Sequence, residues 1–340
     1  SRDLSYISKK HPGQPMSQIK EQGFWNTFLS YIGVGIGVLN LIFLYPFFFE
    51  TDEIGLIRIL SSVSILYAQI GSVGFNSVII RFFPHFKNRE NGFPFAVLLF
   101  TSIGFALATA LLLLLRPVIE PIYIENSQLF VQYYTWLVPL SLFVLFFSIG
   151  ESFLRMKYRT VFTLFVKEIL IRLLTLAGIL AVAFRYIDFE QFLVWFLITH
   201  ALALIVISVP LIRSKSISFK PDFSFFQVRR LKLILRYGLV SLLTGATAYI
   251  IQLVDSLMIG AYLDLDQVGI YTIAFFMGSV IAMPARGISR IAVPMVATAW
   301  KRQRLDRIQT LYKNTSFLQY TFGLLVLAGI IANLSDVFSF

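Results

Sequence analysis

Cysteine is absent from the 340 residues, which excludes a disulfide framework, a thiolate metal site and a cysteine nucleophile. Histidine occurs three times, at His11, His85 and His200. No two of these have ligand spacing, so no zinc or non-haem iron site is expected. Charged residues are also scarce, at 14% of the chain against about 25% in an ordinary soluble domain. A chain so poor in charge cannot cover a globular surface with polar side chains. What is present instead is hydrocarbon: 57% of residues are hydrophobic, 35 of them phenylalanine, and mean hydropathy is +0.76. This composition predicts an all-α polytopic membrane protein and excludes a disordered chain.

A membrane helix needs about 20 apolar residues to cross about 30 Å of hydrocarbon. Nine such spans are expected, at roughly 25–49, 54–83, 93–115, 128–150, 161–184, 190–212, 236–262, 267–297 and 315–337. The second and eighth are long, which suggests tilt or extension past the membrane. The first apolar run is too long, and begins too far into the chain, for a cleavable signal peptide.

The net charge of +11 would suggest nucleic acid in a soluble protein, but here it sorts by loop. Of the 29 Lys and Arg, 21 lie in segments 1–24, 84–92, 151–160, 213–236 and 298–314. The intervening loops hold only Arg116 and Arg185, together with acids such as Glu50, Glu53, Glu120, Asp188, Asp264 and Asp266. The alternation places the N-terminus in the cytoplasm, and no nucleic-acid motif supports the other reading. Residues 1–15 are expected to be non-native, upstream of a start at Met16; an ordinary cytoplasmic tail is the alternative.

The turn before the second span reads Glu53-Ile54-Gly55-Leu56-Ile57, and the turn before the eighth reads Gln267-Val268-Gly269-Ile270-Tyr271. Both follow acidic residues, and they are 214 residues, or six spans, apart. An even number of spans preserves orientation, so the pattern predicts a parallel repeat. The expected organisation is a cytoplasmic segment 1–24, a first six-helix lobe at 25–212, a linker at 213–235 and three spans of a second lobe at 236–340. By that count about three or more further spans are expected beyond Phe340.

The run GFWNTFLSYIGVGIGVLNLIFLYPFFFETDEIGLIRILSSVSILYAQIGSVGFNSVIIRFFPHF resembles the N-terminal part of bacterial polysaccharide (O-antigen type) flippases. LKLILRYGLVSLLTGATAYIIQLVDSLMIGAYLDLDQVGIYTIAFFMGSVIAMPARGISRIAVPMV is similar to the start of their second lobe, with Asp255-Ser256 and Val268-Gly269-Ile270-Tyr271 as its signatures. Their superfamily also holds lipid II flippases and multidrug and toxic compound extrusion transporters. The resemblance covers residues 16–340. It implies two six-helix lobes around a cavity that opens alternately to each side of the bacterial inner membrane. It further implies an undecaprenyl-pyrophosphate-linked oligosaccharide as substrate, for O-antigen and lipopolysaccharide assembly. Lipid-linked oligosaccharide and membrane lipids are the expected partners, other polysaccharide-assembly proteins are further candidates, and no cofactor is implied.

Ionisable groups at bilayer depth cost about 2.5–3.5 kcal/mol or more and usually face a wet cavity or a partner. Six basic residues fall within the spans: Arg58, Arg81, Lys167, Arg172, Arg286 and Arg290. Arg286 and Arg290 share a helix face beside Pro284 and Gly287, with Arg286 about 16 Å from the cytoplasmic end. They either bind the pyrophosphate as a cationic cavity wall or reach the headgroups from a kinked helix. Arg81, Lys167 and Arg172 are further substrate-binding candidates. Interface anchoring for Arg81 and an ion pair of Glu168 with Arg172 are the plainer accounts. Asp255 and Arg58 lie at similar depth. They either close an outer gate across the lobes, with Asp255 alternatively carrying a coupling ion, or Asp255 merely faces the headgroups.

Asp264-Leu265-Asp266 matches an acidic pattern of some glycosyltransferases, but it lies in a short outside turn where a helix cap is the expected role. The short outside loops also argue against a membrane polymerase or ligase, so no catalytic residue is assigned. The closer rival is a cation-coupled antiporter of the same fold, which would require acids rather than arginines in its cavity.

Overall fold

The computed structural model describes residues 16–86, 92–213, 227–281 and 303–332, with isolated positions between 292 and 300. The described residues form helices and turns only. In chain order these are α1 (Met16–Val38), a π-helical turn (Leu39–Leu44) and α2 (Tyr45–Phe48). Then come α3 (Thr51–Gly71), α4 (Phe75–Phe86), α5 (Gly92–Ile124), α6 (Gln128–Gln132) and α7 (Leu137–Met156). α8 (Thr160–Phe165), a second π-helical turn (Val166–Leu170), α9 (Ile171–Ala183) and α10 (Phe189–Ile212) complete the first bundle. α11 (Val228–Tyr262), α12 (Leu265–Ile281) and α13 (Leu305–Ala332) follow.

Seven of the helical stretches described are long and apolar enough to cross a membrane. The two remaining expected spans are not among these seven. The helical stretch 160–183 runs through the π-helical turn Val166–Leu170 and carries Lys167, Glu168 and Arg172 close together, which lowers its apolar character. The span at 267–297 is described as α12 only to Ile281. The long second span is not one rod: α3 ends at Gly71 and α4 begins at Phe75. Between them Val73 and Gly74 take φ values of 49° and 73°, and the Ser72 hydroxyl bonds to the Gln69 carbonyl. Two successive left-handed residues end an α-helix, and a β-branched residue there is strained. Gly74 is required for packing as well, because a Cβ on it would strike the Gly238 carbonyl of α11.

Among the described residues the acidic turns lie together, Thr51 bonding to Asp266 and Asn126 to Ala261, while Arg159 and Arg213 lie together at the other end of their helices. The apolar core divides the same way. One cluster, at the acidic end, holds Phe49, Ile54, Leu60, Phe130, Leu137 and Phe192; the other holds Phe75, Val78, Phe93, Phe153, Ala203 and Ile207. Between them a buried hydroxyl occurs on helix after helix: Ser62 and Ser64 on α3, Thr101 on α5, Ser141 on α7 and Thr199 on α10. Elsewhere the outer faces are apolar and exposed, and no described residue of α13 is buried. Such faces are stable against lipid, where exposing hydrocarbon costs nothing.

Candidate functional site

At the acidic end α3 and α12 make the most extensive contact between any two elements among the described residues. Each helix starts from an acidic N-cap. The Glu50 and Glu53 side chains form a capping box on α3, and Asp264 accepts the Gln267 amide of α12 at 2.7 Å. A carboxylate at this position satisfies amides that have no partner within the helix. The two caps are 214 residues apart, as are Glu53 and Gln267. The contact itself has the same symmetry. A Cβ on Gly55 would strike the Leu265 carbonyl, and a Cβ on Gly269 would strike the Thr51 carbonyl. Adding 214 converts one contact into its two-fold mate. The Thr51 hydroxyl also donates to Asp266. Glycine is what lets the backbones approach so closely. The end of α11 is tied down by Tyr123 Oη to the Leu257 carbonyl at 2.9 Å, Asn126 Nδ2 to Ala261 at 3.1 Å and Ser127 Oγ to Gly260 at 2.6 Å.

Below this seal the Arg58 Nε donates to Ser256 Oγ at 3.2 Å, and its guanidinium lies 5.7 Å from the Phe275 ring centre. Asp255 accepts from Tyr271 Oη at 2.9 Å. Arg58 therefore meets the residue next to Asp255, and no ion pair joins the two among the described residues. A cavity of about 270 Å³ adjoins Arg58, lined also by Asn40, Tyr45, Arg172, Thr175, Thr272 and Phe276.

The first π-helical turn lines this cavity through Asn40 and Leu41, and the second lies just before Arg172, which also lines it. Each inserts one extra residue and re-aims the side chains after it. Arg172, just beyond the second, reaches the Gly33 carbonyl and pairs with Glu168 at 2.8 Å, while Asn40 Nδ2 bonds to the Arg172 carbonyl at 3.0 Å. A Cβ on Gly37 would strike the Arg172 guanidinium. Arg172, held by Glu168 of its own span, thus joins the fifth span to the first. Glu168→Ala leaves Arg172 half-satisfied and is expected to cost about 2 kcal/mol. Thermal unfolding in detergent would show it, and an unchanged melting temperature would refute this structural role.

A second, more polar cavity of about 480 Å³ lies toward the basic end between the first bundle and α11. Gln69, Asn76, Ser148 and Ser152 line one wall, and Ser241 and Thr244 of α11 the other. The Ser152 hydroxyl donates to Asn76 Oδ1 at 3.2 Å. The cavity also holds Glu151, which pairs with Arg155 at 3.0 Å and Lys167 at 3.8 Å. The carboxylate is 15% exposed while the two cations are about half exposed, so the cluster presents positive charge. Reading the fourth span as ending at residue 150 missed Glu151; its spacing of four to Arg155 was the available signal.

Arg81 is exposed, with its guanidinium 4.4 Å from the Tyr237 ring centre of α11. Lys167 lines the polar cavity, whereas Arg58 and Arg172 line the smaller one. Arg286 and Arg290 lie outside the described residues.

Comparison with known proteins adds a family. Residues 48–338 match the model of a family described as polysaccharide biosynthesis protein. The chain belongs to that family. No curated protein sequence matches it. Among solved structures, the family member is similar to an inward-facing multidrug resistance MATE family transporter of the MOP superfamily. The TM-score is 0.66 at 17% identity, over 92% of this chain and 71% of that one. It is also similar to a MOP superfamily transporter from Pyrococcus furiosus described by the reversed polarity of its binding pocket. There the TM-score is 0.60 at 18% identity, over 94% and 73% of the two chains. A MATE structure in complex with MaL6 gives 0.58 at 17% identity, over 94% and 73%. The chain is thus a multi-pass membrane protein of the polysaccharide biosynthesis family whose fold is similar to those of these transporters.

Proposed function

We propose that the protein is a flippase, not an enzyme, that moves undecaprenyl-pyrophosphate-linked oligosaccharide across the bacterial inner membrane by alternating access. Residues 25–212 form one lobe, 213–235 the linker, and 236–340 belong to the second. The basic end faces the cytoplasm with the N-terminus. Lipid-linked oligosaccharide is the partner in transport, and other polysaccharide-assembly proteins receive the product for O-antigen or lipopolysaccharide synthesis.

The observation that carries this reading is the polar cavity. It joins amides and hydroxyls suited to sugar hydroxyls with a cation-rich cluster suited to phosphate, while the opposite end is closed by paired glycines. Arg155 and Lys167 would meet the phosphates first. Arg81 and Arg172, with Arg286 and Arg290 of span eight, are the further cationic candidates. Arg58 and Asp255 act in closing the outer end through Ser256 and Tyr271.

The second reading is a cation-coupled antiporter. The solved MATE structures favour it as a fold, and Glu151 and Asp255 supply carboxylates within spans. Complementation of a flippase-deficient strain separates the two. With the full-length protein restored surface polysaccharide is expected, and export of cationic dyes with glycan assembly still blocked would overturn the proposal. In the same assay Asp255→Asn and Arg58→Gln are each expected to reduce surface polysaccharide several-fold. Unchanged activity in both would remove them from the gate.

A further inference from the structure

A groove of about 560 Å³ lies on the basic end of the first bundle, away from both cavities described above. Its floor is apolar: Phe162 of α8, with Val206, Val209 and Pro210 near the end of α10. Its rim holds two arginines, Arg159 at the N-cap of α8 and Arg213 at the C-cap of α10. Both are exposed, and neither has an ion-pair partner among the described residues. No acid lines the groove among the described residues. Pro210 has no N–H to give the Val206 carbonyl, so an acceptor in the groove lacks its helical donor. None of the groove residues lines the polar cavity.

We infer that this groove is a binding site for a resident anionic phospholipid, distinct from the transported substrate. Arg159 and Arg213 hold the headgroup phosphate, and an acyl chain lies over Phe162 and Val206. The surroundings argue for a lipid and against a soluble anion. Ile205 at 59% exposure and Ile212 at 77% flank the groove with bare hydrocarbon, so it opens sideways into the bilayer. Its arginines lie where the basic loops place the polar interface, the depth of a headgroup. Basic pockets between membrane helices at this depth select acidic headgroups through charge and bidentate geometry.

Native mass spectrometry of the whole chain in detergent, with added lipid, tests the assignment. Phosphatidylglycerol should be retained in preference to phosphatidylcholine. Arg159→Gln with Arg213→Gln should weaken its retention about thirtyfold, since each interfacial arginine adds about a fivefold factor. Arg159→Lys with Arg213→Lys keeps the charge and should retain most of the binding. Val206→Trp fills the groove with both arginines intact and should also lose the lipid. Equal retention of the neutral lipid, or of phosphatidylglycerol by the glutamine variant, overturns the site. So does loss in the lysine variant, or full retention in Val206→Trp. Displacement by inorganic phosphate would mean an anion site rather than a lipid site, and displacement by equimolar polyprenyl diphosphate would mean a substrate path; either outcome overturns the proposal.

Discussion

Gly55→Val is expected to open the acidic end of the protein and to reduce transport by at least about tenfold, with Gly269→Val matching it. The reason lies in the backbone contact. A Cβ at either position would overlap a carbonyl of the opposite helix, Leu265 for Gly55 and Thr51 for Gly269. A rotamer change cannot relieve a clash with backbone, so α3 and α12 must move apart. Overpacking of this kind costs about 1–3 kcal/mol, and each 1.4 kcal/mol shifts a conformational equilibrium about tenfold. The closed state alone bears the cost. A transporter that cannot seal one side loses alternation, not merely stability.

Because the chain contains no cysteine, a single reporter thiol can be introduced without background. Thr272→Cys, on the wall of the cavity beneath the seal, should resist a membrane-impermeant thiol reagent added from the acidic-loop side. In the Gly55→Val background it should be labelled readily. Gly35→Val is the matched control, since a Cβ there meets nothing within 4 Å. Identical labelling with and without Gly55→Val would refute the seal.

The second large effect concerns the three charges of the polar cavity. Arg155→Gln with Lys167→Gln is expected to lower transport of an anionic lipid-linked substrate by more than about tenfold, two charge-assisted contacts being worth about 1.5–3 kcal/mol each. Glu151→Gln should act in the opposite direction on binding. It removes the carboxylate that competes for both cations, 3.0 Å from one and 3.8 Å from the other. Binding of the polyprenyl diphosphate carrier should therefore tighten. An antiporter of cations inverts both signs: Glu151→Gln would abolish transport, and the double substitution would spare or improve it. Binding and transport measured on the two variants thus decide between the readings of this cavity.

Legibility in the sequence followed the physics behind each feature. The spans were readable because hydrocarbon thickness dictates a length and a composition, and the basic loops sorted to one end for the same reason. The breaks within spans were not readable as such. Nothing in Val166–Leu170 or Leu39–Leu44 announces a π-helical turn. Those turns depend on neighbours: Gly33 and Gly37 leave room for Glu168 and Arg172, which bring the first and fifth spans together. The pairing of Glu168 with Arg172 was foreseeable from their spacing, since residues four apart share a helix face whatever surrounds them. The partners of Arg58 were not, because Ser256 and Phe275 are about 200 residues away along the chain.

The 214-residue repeat shows the division most plainly. By itself the sequence determined that two turns, each with an acidic cap and a glycine two residues after a Glu or Gln, begin two spans of the same orientation. That much is local: caps satisfy nearby amides, and an even number of spans preserves direction. Only the tertiary structure decided that the two turns meet each other. It set Gly55 on Leu265 and Gly269 on Thr51, so that a repeat in sequence becomes a two-fold contact in space. Contact between helices so distant in sequence depends on how the whole chain packs, and no local pattern encodes that distance. The missing side chains of two glycines therefore read as ordinary turn residues in the sequence and as a seal in the fold.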